Sequence, residues 1–116
     1  MDLPPRKIPL VFYRTSAGID VVREWLRALD KTDRDVIGQD LMRVQFRWPV
    51  GMPLCRALGA GLWEVRSSLP NNRIARVLFF VEGGRIGVVH GFIKKTRKTP
   101  AEAIALAGKR MKEMQK

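Results

Sequence analysis

The sequence predicts an α+β domain with one curled antiparallel sheet, an N-terminal helical hairpin and a C-terminal helix. Three observations carry this. Apolar residues recur at helical spacing between Ser16 and Trp48, three apolar strands lie near Leu62–Ser67, Ile74–Val81 and Ile86–Ile93, and a helix-start pattern follows at Thr99-Pro100-Ala101-Glu102. The 116 residues suit a single domain spanning 1–116, and 46% apolar against 28% charged residues argues for a packed core.

Leu10-Val11-Phe12-Tyr13 has the branched and aromatic content of a short strand, preceded by the turn formers Pro4, Pro5 and Pro9. Ser16 is placed to cap a first helix whose apolar positions Val22, Trp25, Leu26 and Leu29 follow the helical period. A turn at Asp30 leads to a second helix, where Thr32 and Asp35 form a weak capping box and Val36, Ile37, Leu41 and Val44 make one stripe. Gly38 weakens its middle, and Trp48-Pro49-Val50-Gly51-Met52-Pro53 ends it in a loop.

Among the three later strands, Glu82-Gly83-Gly84 makes a tight hairpin between the last two. Val77, Phe79 and Val81 share one face of the middle strand and Leu78 and Phe80 the other, so that strand is central and covered on both sides. In the last helix Thr99 is placed to cap, Pro100 fits the first helical position and Glu102 reaches back. Ile104, Ala107, Met111 and Met114 form its stripe.

The charge is lopsided. Lys and Arg number 22 against 11 Asp and Glu, a net +11, with a surplus of three in residues 1–60 and eight in 61–116. A basic patch from the second half would steer and hold a polyanion. The single cysteine, Cys55, excludes an internal disulfide and a cysteine-rich metal site, and reads as a buried or incidental thiol. Met-Asp-Leu-Pro-Pro-Arg-Lys lacks the apolar core of a signal peptide, and no stretch approaches the ~18–20 apolar residues that cross a bilayer. A cytoplasmic protein with no membrane partner is expected.

Phosphate-loop, dinucleotide and serine-elbow patterns are absent, and one histidine without an acidic cluster suggests neither a zinc site nor a two-metal nuclease. No metal and no cofactor are expected. The candidates for chemistry are Arg66, Arg76, His90 and the run Lys94, Lys95, Arg97 and Lys98, which short strands can bring to one side of a sheet. Glu64 alternates with Arg66, giving either an edge ion pair or a guanidinium free to grip phosphate. A buried, unpaired Arg76 would be costly, which favours a cleft mouth.

The basic run reads as solvated surface or as a phosphate-binding segment ahead of a helix, and a partly desolvated lysine within it can transfer protons. His90 titrates in the right range for proton transfer, yet its apolar strand suits a packing residue equally well. RNA is the attractive polyanion, because its 2′-hydroxyl supplies an internal nucleophile while cationic side chains stabilise the attacked phosphate.

Leu62-Trp63-Glu64-Val65-Arg66, Arg76-Val77-Leu78-Phe79-Phe80, His90-Gly91-Phe92-Ile93-Lys94-Lys95-Thr96 and Lys98-Thr99-Pro100, in that order, resemble the phage-derived Gp49-like branch of the HigB/RelE toxin superfamily. The resemblance is strongest over residues 54–113. It implies a RelE-like fold and the toxin of a type II toxin–antitoxin system, a ribosome-dependent messenger RNA endoribonuclease working by metal-independent 2′-hydroxyl attack. Implied partners are a helix-turn-helix antitoxin, the ribosome and messenger RNA.

By the same resemblance Arg76 stabilises the phosphate, Arg66 positions the substrate, Lys94 or Lys95 transfers a proton, and Arg73, Arg97 and Lys98 hold RNA or ribosome. Relatives often place a tyrosine near the C-terminal part of the site and read Tyr-Arg where this chain has Ala75-Arg76; its only tyrosine is Tyr13. The acid and base roles therefore stay open. Replacing Arg76 with alanine is expected to leave folding mostly intact while weakening translation-dependent cleavage. The alternative reading is a non-enzymatic nucleic-acid-binding or regulatory protein, separated from the first by cleavage rather than by salt-sensitive affinity.

Overall fold

The computed structural model describes residues 7–116, so the expected turn at Pro4 and Pro5 lies outside the described residues. In chain order the elements are β1 (Leu10–Phe12), α1 (Val21–Arg27), α2 (Lys31–Arg47), β2 (Cys55–Gly59), β3 (Leu62–Leu69), β4 (Arg73–Glu82), β5 (Arg85–Lys94) and α3 (Ala101–Met114). The strands form one sheet in the order β1-β5-β4-β3-β2.

From β2 to β5 the sheet is the expected antiparallel meander, but β1 pairs parallel to β5, so the whole is mixed. The helical hairpin is the cause. It carries the chain from one sheet edge to the other, and the meander returns until β5 arrives beside β1 in the same direction.

β2 has no counterpart among the predicted strands. Cys-Arg-Ala-Leu-Gly is poor in branched and aromatic residues, and its register against β3 shifts between Ala57 and Gly59. Pairing with β3 makes this edge strand, more than its own propensity does. Its first residue, Cys55, is buried as expected, and burial pushes the thiol up to about 11, which leaves little reactive thiolate.

β4 is central, bonded to both β3 and β5 and buried from Ala75 through Phe80. Val77 and Phe79 face the helical hairpin: Trp48, at the end of α2, packs edge-on against Phe79 with ring centroids 5.4 Å apart. On β5, Gly91 lies opposite Val77, and a methyl group there would overlap the Trp25 ring of α1. Leu78 and Phe80 face the other way, where α3 covers the sheet. The hairpin closes at Gly83 and Gly84, both at positive φ (59° and 72°), with Glu82 paired to Arg85.

The helix starts differ from expectation. Gly18 sits at φ 83°, so helical dihedrals cannot run from Ser16; Thr15 Oγ1 instead accepts the Ile19 N–H at 3.0 Å, and α1 begins after Asp20. In α2 the pair is Lys31–Asp35 at 2.7 Å rather than Thr32–Asp35, and the helix runs straight through Gly38. Pro100 takes the cap position of α3, and Thr99 turns its hydroxyl to Glu64 of β3. The predicted α3 stripe does pack: Ala107 and Met111 are buried, with Ile104 and Met114 against the core.

Candidate functional site

Across the meander Arg66 of β3 lies opposite Arg76 of β4, which lies opposite Phe92 of β5. Two residues along, Arg56 of β2, Glu64, Leu78 and His90 form the next row. Alternation sends these side chains to the face covered by α3, and Lys94, two residues beyond Phe92, follows them. Its ammonium lies 5.7 Å from the Phe92 ring centroid.

A bulge sets this phase. The β4–β5 register passes from Leu78↔His90 to Phe79↔Val88, leaving Val89 out of the ladder. Arg110 of α3 donates to the Val89 carbonyl at 2.9 Å and stacks over Tyr13, 4.9 Å from its ring centroid. The Tyr13 hydroxyl donates to Glu113, whose hydrogen bond raises the phenol's pKa, aided by burial. The only tyrosine is thus engaged with α3.

Arg76 is fully buried, at 0% exposure, which corrects the expected cleft mouth. Its Nη2 donates to the Thr96 carbonyl, and its Nε lies 3.9 Å from Oε2 of Glu64, itself at 0% exposure. The same Glu64 oxygen accepts the Thr99 hydroxyl. Glu64 therefore has Arg76, its diagonal neighbour across the ladder, as ionic partner rather than Arg66. Nε and Nη1 of Arg76 and Oε1 of Glu64 have no hydrogen-bond partner among the described residues. Burial first, then the positive charge of Arg66, pulls the Arg76 pKa below its ordinary value, against the opposing pull of Glu64.

Arg66 is half-buried and donates from Nη2 to the Arg97 carbonyl at 3.3 Å. Lys94, Lys95, Arg97 and Lys98 are all exposed, and the segment from Lys95 to Lys98 follows the end of β5. His90 is half-buried, with its ring centroid 5.4 Å from that of Phe92; burial, then Arg110, lowers its pKa, so the ring is neutral near pH 7.

Arg73 is not part of this group. It stands an odd number of residues from Arg76 on β4, and its guanidinium forks onto Asp33 of α2 at 2.7 and 2.9 Å while Nε donates to the Pro70 carbonyl at 3.0 Å. Asp33 is held below the usual carboxylate range by that hydrogen bond.

A family model for phage-derived Gp49-like proteins matches residues 24–112. The chain belongs to the Gp49-like family. The match runs from within α1 into α3 and takes in every residue of the cluster. No curated protein matches the sequence. Among the described residues, three helices on a five-stranded mixed sheet give this Gp49-like protein the α+β arrangement of a RelE-like fold. Among its described residues no helix is long and apolar enough to cross a membrane, and no group of three or more His, Cys, Asp or Glu side chains is placed to hold a metal ion.

Sequence reading missed several members of this cluster. Arg56 had no assigned face because β2 was not recognised. The sequence reading pairs Glu64 with Arg66, whereas its buried ionic partner is Arg76 on the next strand. The carbonyls of Thr96 and Arg97 carry no sequence signal. Chemically, the face offers guanidinium groups for anionic oxygens, exposed ammonium groups and one neutral imidazole.

Proposed function

We propose that this Gp49-like protein is the toxin of a type II toxin–antitoxin pair, acting in the cytoplasm as a ribosome-dependent messenger RNA endoribonuclease. The observation that supports this best is the adjacency of Arg66 and Arg76 across β3 and β4, with the exposed Lys94 on the same face. The 2′-hydroxyl of the RNA attacks the neighbouring phosphorus. A basic group takes its proton, the P–O5′ bond breaks, and an acidic group protonates the departing 5′-oxygen, leaving a cyclic phosphate and a 5′-hydroxyl.

Arg66 grips a phosphate oxygen with a planar fork, and Arg76 stabilises the same phosphate. Neutral His90 is suited to accept a proton, and Lys94 or Lys95 is the other proton-transfer group. Arg97 and Lys98 hold the RNA or ribosomal backbone. The ribosome supplies substrate geometry, so the free protein cuts RNA poorly. A helix-turn-helix antitoxin inhibits by covering this basic face.

The test is a translating extract in which message ends are mapped, with a 2′-deoxy substitution at the mapped position. Cleavage that persists without the 2′-hydroxyl, or no cleavage at all, defeats the reading. Full burial of Arg76 favours one rival, a nucleic-acid-binding protein without catalysis, for which the same extract yields salt-sensitive binding and intact message.

A further inference from the structure

The two arginines of the proposed site are both occupied by the chain's own backbone. Arg76 donates to the carbonyl of Thr96 and Arg66 to the carbonyl of Arg97, so two successive peptide oxygens sit on two guanidinium groups that are themselves neighbours across a β-ladder. A guanidinium that holds a neutral carbonyl oxygen has the donors to hold an anionic phosphodiester oxygen instead.

Three further facts bear on this segment. Arg76 has no exposed surface, yet its Nε and Nη1 lack partners among the described residues, so a fully buried cation keeps unused donor capacity. The side chains from Lys95 to Lys98 are exposed, leaving the segment tied to the sheet chiefly through its carbonyls. Its far end is fixed, because buried Thr99 donates to Glu64, the residue beside Arg76.

We propose that Lys95–Lys98 form a self-occupying strap, pivoting at the Thr99–Glu64 contact, that must release the Thr96 and Arg97 carbonyls before Arg66 and Arg76 can bind a backbone phosphate of single-stranded nucleic acid. This rests on the reading of Arg66 and Arg76 as a phosphate site. Exchange of neutral carbonyls for an anionic diester strengthens both sets of hydrogen bonds, while lifting the strap lowers apparent affinity by the fraction of time it is closed. The exposed lysines and arginine of the strap swing aside as the phosphate binds and remain available to its neighbours.

The test uses a short single-stranded deoxyribo-oligonucleotide, which carries phosphodiesters but no 2′-hydroxyl and so cannot be cut by the proposed route. Thr96→Gly loosens the strap without removing a charge and is expected to tighten binding by about 3–10-fold, with an unchanged salt slope. In the unsubstituted protein, saturation should shift the carbonyl carbon resonances of Thr96 and Arg97 together with the Arg76 Nε–H signal. Binding that leaves those carbonyls unshifted, equal or weaker binding by Thr96→Gly, or no binding by either protein overturns the strap. Cleavage is scored separately. Strap exchange without cleavage in a translating extract defeats the nuclease reading alone, and cleavage with unmoved carbonyls defeats the strap alone.

Discussion

Nε of Arg76 lies 3.9 Å from Oε2 of Glu64, and neither side chain has any exposed surface. Removing one member strands the other as a buried charge, a loss of about 3–5 kcal/mol by the usual behaviour of such pairs. Arg76→Ala is therefore expected to unfold at much lower urea concentration, contrary to the mild effect expected from sequence. Replacing both residues with methionine should recover most of the loss. Equal midpoints for Arg76→Ala and the unsubstituted protein would show that the pair is not ionic.

Arg66 gives the cleaner functional probe, since it is half-buried and among the described residues its guanidinium holds only the Arg97 carbonyl. Arg66→Ala is expected to cut translation-dependent cleavage by about 10²-fold, the scale of losing one donor to a developing phosphate charge. Its melting temperature should stay close to that of the parent. Replacing exposed Lys94 and Lys95 together with alanine should act in the same direction, and full cleavage by both variants would remove these residues from the mechanism.

His90 should make stability depend on pH. Its folded pKa lies below the ordinary value of 6.5 because of burial and then Arg110, so the unfolded chain binds the proton more readily. The contribution is complete above about 6.5, shrinks as pH falls toward the folded pKa, and is lost below it. Melting temperature is expected to rise with pH through that interval, and His90→Gln to flatten the rise. An identical profile in the variant would assign the dependence elsewhere.

Gly91 permits the close packing of α1. A methyl group there would overlap Trp25, so Gly91→Ala should destabilise by about 1–3 kcal/mol through overpacking. Trp25→Leu in the same chain should relieve part of the strain, and a double-mutant cycle in urea unfolding measures the coupling. Strictly additive losses would mean that α1 shifts freely.

Arg73→Ala separates structure from binding. The variant loses the fork onto Asp33 that ties the start of β4 to α2. A lower melting temperature with an unchanged salt slope of nucleic-acid binding is expected; a shallower slope would put Arg73 on the nucleic acid.

Local patterns in the chain were enough to determine the helical hairpin, the central character of β4, the Gly83-Gly84 turn and the basic bias of the second half, because periodicity, turn chemistry and charge are properties of neighbouring residues. They also marked Arg66, Arg76, His90 and Lys94 as candidates. Pairing decided the rest. β2 exists because β3 binds it, and the bulge at Val89 sets which face His90 and Lys94 share. Thr99 looked like a helix cap until Glu64, 35 residues away in sequence, proved to be its partner. The burial of Arg76 under the carbonyl of Thr96 depends on where β5 ends relative to β4, a long-range register that no short window of sequence contains.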